Sequence, residues 1–141
     1  MIRIDYTDIN NLSHVANRLL ELAGKKKIWL FYGEMGVGKT TLISAIVKTL
    51  GSTYEANSPT FAIVNEYPAE NSNNIFHFDL YRIKQLEELL DIGFEDYLNQ
   101  KDAYCLIEWP EIADVILNLY DVFILKLQQC EDGNRWIHIN V

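Results

Sequence analysis

The chain has 141 residues, of which 49% are hydrophobic, and its formal net charge is −8. These totals predict one domain over residues 1–141 with a core of its own, and exclude a membrane-spanning protein because no apolar run is long enough. The acidic excess lies in residues 71–141, which hold thirteen acidic and five basic side chains. Since phosphate backbones are bound by basic surfaces, we expect no direct contact with nucleic acid.

The N-terminus lacks a secretory signal pattern, which predicts a cytoplasmic protein. Cys105 and Cys130 have no partner at metal-binding spacing, and we expect both to be reduced, buried thiols. Between Glu87 and Asp114 the chain has nine acidic side chains and one basic side chain, Lys101. A solvated acidic face is the favoured interpretation of this stretch, and docking onto a basic partner is the alternative.

The first predicted elements are an edge strand and a helix. Residues 1–6 alternate apolar and polar side chains, which favours a strand. Thr7 or Asp8 then caps a helix that ends at Gly24. The predicted buried face of this helix consists of apolar residues at helical spacing, namely Ile9, Leu12, Val15, Ala16, Leu19 and Leu20.

The segment 33–41 reads GEMGVGKTT and matches the phosphate-binding loop G-x-x-x-x-G-K-[ST]. An apolar strand over 28–32 precedes it, and a helix that stops near Gly51 follows, as this loop requires. The residues predicted to bind a nucleotide here are Gly33, Met35, Gly36, Val37, Gly38, Lys39, Thr40 and Thr41. The pattern therefore predicts a nucleoside triphosphate site.

Each residue type in this loop has a chemical reason. Gly36 and Gly38 allow the backbone N–H groups to turn inward around the β-phosphate. Lys39 reaches the β- and γ-phosphates, and the hydroxyl of Thr40 is a ligand for Mg²⁺. The N-terminus of the following helix adds its unpaired N–H groups and the positive end of its dipole.

A second loop, residues 57–61, precedes a predicted strand over 62–67. Pro59 favours an extended conformation for the residue before it and so influences how Thr60 is presented. Thr60 is either a sensor of the γ-phosphate and Mg²⁺, as in many nucleotide switches, or part of an ordinary loop. The polar residues 68–74 predict a hairpin connection.

Two acidic residues end predicted strands and are candidates for the metal. Glu108 follows the unbroken apolar run 103–107, which is typical of a central parallel strand. Asp79 ends the strand 75–79, whose alternation predicts a more exposed face. We therefore expect Glu108 to hold Mg²⁺ and Asp79 to act catalytically, by orienting the attacking water or by supporting the metal ligands. We interpret His77 as a core histidine.

The remaining pattern completes one domain. Short helices are predicted over 85–91, 94–98 and 111–117. Residues 122–128 and 136–141 predict a C-terminal hairpin. A GTPase would carry Asn-Lys-x-Asp after its metal acid, and the segment 99–102 reads NQKD in the wrong order. ATP is therefore the expected nucleotide.

Four short motifs behind the phosphate-binding loop point to a family. They are Ser58-Pro59-Thr60-Phe61, Asn65-Glu66-Tyr67, His77-Phe78-Asp79-Leu80-Tyr81-Arg82 and Glu108-Trp109-Pro110-Glu111. In this order they closely resemble the TsaE (YjeE) family of small bacterial ATPases. The resemblance extends from about residue 7 to the C-terminal hairpin.

The resemblance implies a single α/β P-loop sandwich with a mixed, mostly parallel central sheet and a C-terminal hairpin. It also implies an ATPase that is an accessory factor in the threonylcarbamoyladenosine modification of tRNA and that acts on a complex of TsaB and TsaD. ATP is then the substrate and Mg²⁺ the cofactor.

The resemblance also assigns roles to individual residues. Lys39, Thr60 and Asp79 fall on catalytic positions, and Thr40 and Glu108 on metal positions. Trp109 falls on an aromatic position at the rim of the site. Three residues are candidates for contacts with the nucleotide base, namely Thr7, Asp8 and Arg135.

Two other functions remain open at this point. A small-molecule kinase would use the same loop, but the chain shows no arginine-rich lid insertion. A nucleotide-dependent binding module would bind ATP and a partner strongly with only incidental turnover.

Overall fold

The computed structural model describes residues 1–52, 63–69 and 74–140. Its strands are β1 (Ile2–Asp5), β2 (Ile28–Tyr32), β3 (Val64–Pro68), β4 (Asn74–Asp79), β5 (Tyr104–Glu108), β6 (Val122–Gln129) and β7 (Arg135–Ile139). Its helices are α1 (Leu12–Ala23), α2 (Lys39–Thr49), α3 (Leu86–Asp91), α4 (Phe94–Leu98) and α5 (Asp114–Leu117), with 3₁₀ turns at Ile9–Asn11 and Pro110–Ala113.

The strands form one mixed sheet in the order β1-β7-β6-β2-β5-β4-β3. β6, β2, β5 and β4 run parallel to one another in the middle of the sheet. β3 at one edge and β7 and β1 at the other pair antiparallel with their neighbours. This architecture confirms the predicted α/β class with a parallel centre and a C-terminal hairpin, β6–β7. It also brings the carboxyl ends of β2, β4 and β5 to one edge of the sheet, where open α/β sheets bind ligands.

Helices cover both faces of the parallel centre. α1 and α2 pack on one face, against large side chains of β2 that include Trp29 and Phe31. α3, α4 and α5 pack on the other face, where the ring of Phe94 meets that of Phe78 edge-on at 5.1 Å. Because β2 and β5 are buried on both faces, their sequences read as unbroken apolar runs.

The first helix begins later than the sequence predicts. Asp8 accepts a hydrogen bond from the backbone N–H of Asn10 at 2.9 Å, but it caps a 3₁₀ turn, and α1 starts only at Leu12. Ile9 is 67% exposed, so its predicted place on the buried face is wrong. Asn10 and its neighbour Asn11 favour turns over helix because their side chains compete for backbone hydrogen bonds. The predicted end at Gly24 is confirmed.

The predicted exposed face of β4 is also wrong. Ile75, Phe76, His77 and Phe78 are each at most 2% exposed. β4 lies between β3 and β5, and helices or aromatic side chains cover both of its faces. The apparent alternation arose because His77, a polar residue, interrupts an apolar run while being buried.

None of the helices in the described ranges has the length and the apolar character needed to cross a membrane. The cysteines are both free thiols. Cys105 is buried, as predicted, whereas Cys130 is only partly buried because it lies at the turn between β6 and β7.

The two thiols should differ in reactivity. Burial raises the pKa of Cys105 to about 12, so its reactive thiolate is nearly absent at pH 8. With the thiol reagent DTNB at pH 8, we expect Cys130 to react in the native protein and Cys105 only after unfolding. A Cys130→Ser variant should lose the native reaction. Equal rates for the two thiols in the native protein would contradict the buried placement of Cys105.

Candidate functional site

The phosphate-binding loop connects β2 to α2. Gly36 and Gly38 have φ angles of +82° and +96°, which side chains with a Cβ rarely adopt. The backbone N–H of Leu42 donates to the carbonyl of Gly38 at 3.0 Å, so the helix is hydrogen-bonded from its first turn. The N–H groups of this turn that precede Leu42 lack carbonyl partners within the helix and are suited to an anion.

Lys39 is held inside the loop. It is 5% exposed, and its ammonium group donates to the backbone carbonyl of Gly33. The same Nζ lies 3.5 Å from the centroid of the Trp109 ring. Burial lowers the pKa of Lys39, and surrounding carboxylates, led by that of Glu108, oppose this shift. Lys39 is thus a desolvated ammonium group, and the low dielectric around it strengthens its attraction for a phosphate.

Trp109 reaches this position through an unusual backbone. It follows Glu108, has a φ angle of +55° and precedes the 3₁₀ turn Pro110–Ala113. Its ring also contacts that of Tyr81, with 5.0 Å between centroids. A left-handed conformation is uncommon for a large residue and often marks functional sites. Here it turns the ring from the end of β5 toward Lys39.

Thr40, Glu108 and His77 form a chain of contacts below the loop. The hydroxyl of Thr40 donates to Glu108, with Oγ1–Oε1 and Oγ1–Oε2 distances of 3.2 and 3.4 Å. Nε2 of His77 lies 2.6 Å from Oε2 of Glu108. Glu108 is 3% exposed and His77 0% exposed. A carboxylate from β5 is thereby fixed between α2 and β4.

Asp79 lies beside Glu108 in the register of β4 and β5. Its Oδ1 accepts the backbone N–H of Tyr81 at 3.1 Å. Burial raises the pKa of Asp79, while the hydrogen bond from Tyr81 works in the opposite direction. A partly desolvated carboxylate with one oxygen occupied is suited to accept a hydrogen bond from water.

Two residues that lie outside the loop support it from the antiparallel side of the sheet. The hydroxyl of Tyr6 donates to the carbonyl of Val37 at 2.7 Å. A Cβ added at Gly38 would lie 2.8 Å from Nη1 of Arg135 and 3.6 Å from the ring of Tyr6. Thr7 joins the two strands here, because its Oγ1 accepts the N–H of Arg135 at 2.9 Å.

The structure brings most predicted site residues together. Lys39, Thr40, Asp79, Glu108 and Trp109 converge at the carboxyl ends of the parallel strands. Within the loop, Val37 is buried, whereas Met35 and Thr41 are exposed. Arg135 lies against Gly38, while the carboxylate of Asp8 caps its own turn. Thr60 lies outside the described residues, and its role stays a prediction.

Two residues with a part in the site were not predicted from the sequence. From the sequence, Tyr6 was placed only at the end of a predicted strand. A buried tyrosine hydroxyl commonly has a hydrogen-bond partner, which is the signal that could have pointed to it. His77 was interpreted as a core histidine, which its burial bears out. Its contact with Glu108 could have been anticipated only from the pairing of β4 with β5.

The donors near the loop suit Mg²⁺. Among the described residues, no group of three or more His, Cys, Asp or Glu side chains is arranged to hold a metal. Mg²⁺ does not require such a group, because it is usually held by one or two protein oxygens with phosphates and waters. The hydroxyl of Thr40 and the adjacent carboxylate of Glu108 are oxygen donors of the required kind.

Comparisons with known proteins agree on one family. The family model "Threonylcarbamoyl adenosine biosynthesis protein TsaE" matches residues 6–137. The tRNA threonylcarbamoyladenosine biosynthesis protein TsaE of Haemophilus influenzae is 40% identical over 110 residues, which cover 77% of this chain and 68% of the relative. The protein of the same name from Borreliella burgdorferi is 41% identical over 114 residues, which cover 81% of each chain.

A more distant relative and a solved structure extend the comparison. TsaE of Treponema pallidum is 33% identical over 125 residues, or 89% of this chain and 87% of the relative. The crystal structure of Bacillus subtilis YdiB superposes with a TM-score of 0.69, covering 96% of this chain and 82% of that chain. Because YdiB is only 20% identical in sequence, this similarity shows the fold alone.

The contact between Tyr6 and the loop gives a stability prediction. Burial raises the pKa of Tyr6 to about 12, so its hydroxyl remains a donor at neutral pH. Tyr6→Phe leaves the carbonyl of Val37 without this donor, and we expect the free energy of unfolding to fall by about 1–3 kcal/mol in urea titrations.

Tyr32→Phe is the matched control for this loss. The hydroxyl of Tyr32 donates to the exposed carboxylate of Asp114 at 3.1 Å, where water replaces it readily. We expect this variant to lose less than about 1 kcal/mol. If Tyr32→Phe lost as much free energy of unfolding as Tyr6→Phe, the hydrogen bond to the loop would stabilise the fold no more than an exposed one.

Proposed function

Because the chain belongs to the TsaE family of threonylcarbamoyladenosine biosynthesis proteins, we propose that it is a Mg²⁺-dependent ATPase that assists tRNA modification in the cytoplasm. Its partner in this proposal is a complex of TsaB and TsaD. ATP and water are converted to ADP and phosphate, and the chain does not itself contact nucleic acid.

One observation carries the ATPase part of the proposal. Lys39 and Thr40 of the loop meet Glu108 at the end of β5, with Thr40 Oγ1 3.2 Å from its Oε1. An ammonium, a hydroxyl and a carboxylate in this order are the groups that phosphoryl-transfer enzymes use around the β- and γ-phosphates. The arrangement joins the start of α2 to the end of β5, 68 residues further along the chain, so the loop sequence alone does not produce it.

We assign the following roles to the residues of the site. Backbone N–H groups of residues 36–41 hold the phosphates, and Lys39 exchanges its contact with the Gly33 carbonyl for the phosphate oxygens. Thr40 and Glu108 would hold Mg²⁺, which would neutralise charge on the phosphates when bound. Asp79 would accept a hydrogen bond from the attacking water and orient it for in-line attack.

ATP is preferred to GTP on structural grounds as well. The segment 99–102, which partly resembles a GTPase base motif, follows α4 and leads into β5 at Tyr104. It therefore lies at the amino end of β5, whereas the phosphate-binding loop lies at the carboxyl end of β2, which runs parallel to it. A base bound beside the loop cannot reach that segment.

The acidic face is the surface proposed for docking. Eight of the nine carboxylates between residues 87 and 114 are exposed, and Glu108 is the exception. Those of α3 and α4 are exposed to solvent, and Glu88 also caps α3 by accepting the N–H groups of Lys84 and Gln85. A face of one sign steers association with a surface of opposite charge.

Two substitutions test the assignment of the site. Lys39→Ala should abolish productive binding of ATP. Glu108→Gln should retain the nucleotide but lower the Mg²⁺-dependent turnover about a hundredfold, since metal stabilisation of about 2–3 kcal/mol is lost. Phosphate release and nucleotide affinity are measured with and without EDTA. Unchanged turnover in Glu108→Gln would overturn its role at the metal.

The proposed partnership is tested by adding a TsaB–TsaD complex to the purified protein and measuring ATP turnover. We expect a purified TsaB–TsaD complex to raise its ATP turnover, and Lys39→Ala to remain inactive in the mixture. Reversing charge at Glu87, Asp91 and Glu95 should weaken the complex, and most strongly at low salt. Glu88 is left intact because it caps α3. Lack of stimulation, with phosphate passed to a metabolite, would favour a small-molecule kinase instead.

A further inference from the structure

A buried histidine of β4 lies outside the roles described above. His77 is 0% exposed, yet only one of its ring nitrogens has a partner in the described part of the chain. Nε2 lies 2.6 Å from Oε2 of Glu108, while the buried Nδ1 forms no hydrogen bond there. A buried polar atom without a partner destabilises the folded state, so the unpaired Nδ1 calls for an explanation beyond packing.

We propose that His77 is a positioning residue that donates an Nε2–H hydrogen bond to Glu108 and so presents the other carboxylate oxygen to Thr40 and the metal. The inference rests on the proposed function, since it assigns the orientation of the carboxylate proposed to hold Mg²⁺.

The geometry of the carboxylate supports this role. Oε2 takes the short contact with His77, and Oε1 is the oxygen nearer to Thr40, at 3.2 against 3.4 Å. In the sheet, His77 pairs with Leu106, two residues before Glu108, so both polar side chains project from the same face. The contact is therefore set by strand pairing and does not depend on a loop.

The neighbours of the ring limit its movement. Tyr67 of β3 stacks on His77, with 6.4 Å between centroids and 30° between planes. Directly across the strand pair is Asn65, whose amide donates to the hydroxyl of Tyr67 at 3.3 Å. The imidazole is thus confined between β3 and β5, and it can hold the carboxylate in one orientation. Partners of metal ligands commonly act in this way and change metal affinity about 10- to 100-fold when removed.

Two substitutions of similar polarity separate positioning from packing. In His77→Gln the side-chain amide nitrogen can occupy the position of Nε2 and still donate to Glu108. In His77→Asn it occupies the position of Nδ1 and cannot reach the carboxylate. Both variants leave a buried amide next to Tyr67, so a loss of packing should change ADP affinity even without metal, whereas a loss of positioning should change only the binding of the metal.

The measurement is the affinity for ADP in Mg²⁺ and in EDTA, together with Mn²⁺ binding to the protein–ADP complex by electron paramagnetic resonance. We expect His77→Asn to weaken Mn²⁺ binding about 10-fold or more and His77→Gln to stay within about threefold of wild type. Affinity for ADP in EDTA should be the same in all three. Equal losses in the two variants, or none in either, would overturn the proposal.

A spectroscopic readout keeps this test separate from the proposed function. In ¹⁵N-labelled wild-type protein, we expect the His77 ring to be protonated at Nε2 and bare at Nδ1. A ring protonated at Nδ1 alone would overturn the inference, since Nε2 could not then donate. If the wild-type ring were protonated at Nε2 but the protein bound ADP no more tightly with Mg²⁺ than without it, the metal part of the proposed function would fail. The inferred hydrogen bond from His77 to Glu108 would still hold.

Discussion

The site depends on the burial of one carboxylate. Glu108 is 3% exposed at the end of β5, and a buried charge is tolerated only where hydrogen bonds replace the lost water. Thr40 from α2 and His77 from β4 supply those contacts. A shift of α2 along the sheet would remove the contact with Thr40, and a slip in the pairing of β4 and β5 would remove the contact with His77. The same contacts that make its burial tolerable therefore hold the loop and the strand ends in one arrangement.

The mixed sheet explains how the loop is supported from two sides. The parallel strands β2, β5 and β4 bring their carboxyl ends together, which places Lys39 near Glu108 and Asp79. The antiparallel strands on the other side return the chain to the same edge. Tyr6, after β1, reaches the carbonyl of Val37, and Arg135, at the start of β7, lies against Gly38. A purely parallel sheet would need a crossover to supply each of these contacts.

Much of the fold was predictable because its signals are local. The run 28–32, the loop 33–41 and the helix after it follow from hydrophobic pattern and glycine placement, and the structure confirms them. The failures have tertiary causes. Ile9 is apolar at helical spacing, but the asparagines after it favour a tight turn. β4 was predicted to have one exposed face because its residues alternate in polarity, whereas Ile75, Phe76, His77 and Phe78 are all buried between β3, β5 and the side chains that cover the sheet.

The sequence by itself determined the fold class, the phosphate-binding loop and the two candidate acids, because each is encoded in a contiguous pattern. Only the tertiary structure decided how these residues meet. The contact of Thr40 with Glu108, the ring of Trp109 over Lys39 and the support from Tyr6 and Arg135 join residues far apart in the chain. Such contacts are set by strand order, register and backbone angle, such as the left-handed conformation of Trp109. None of these can be inferred from the spacing of residue types along one chain, because spacing carries no information on which strands become neighbours.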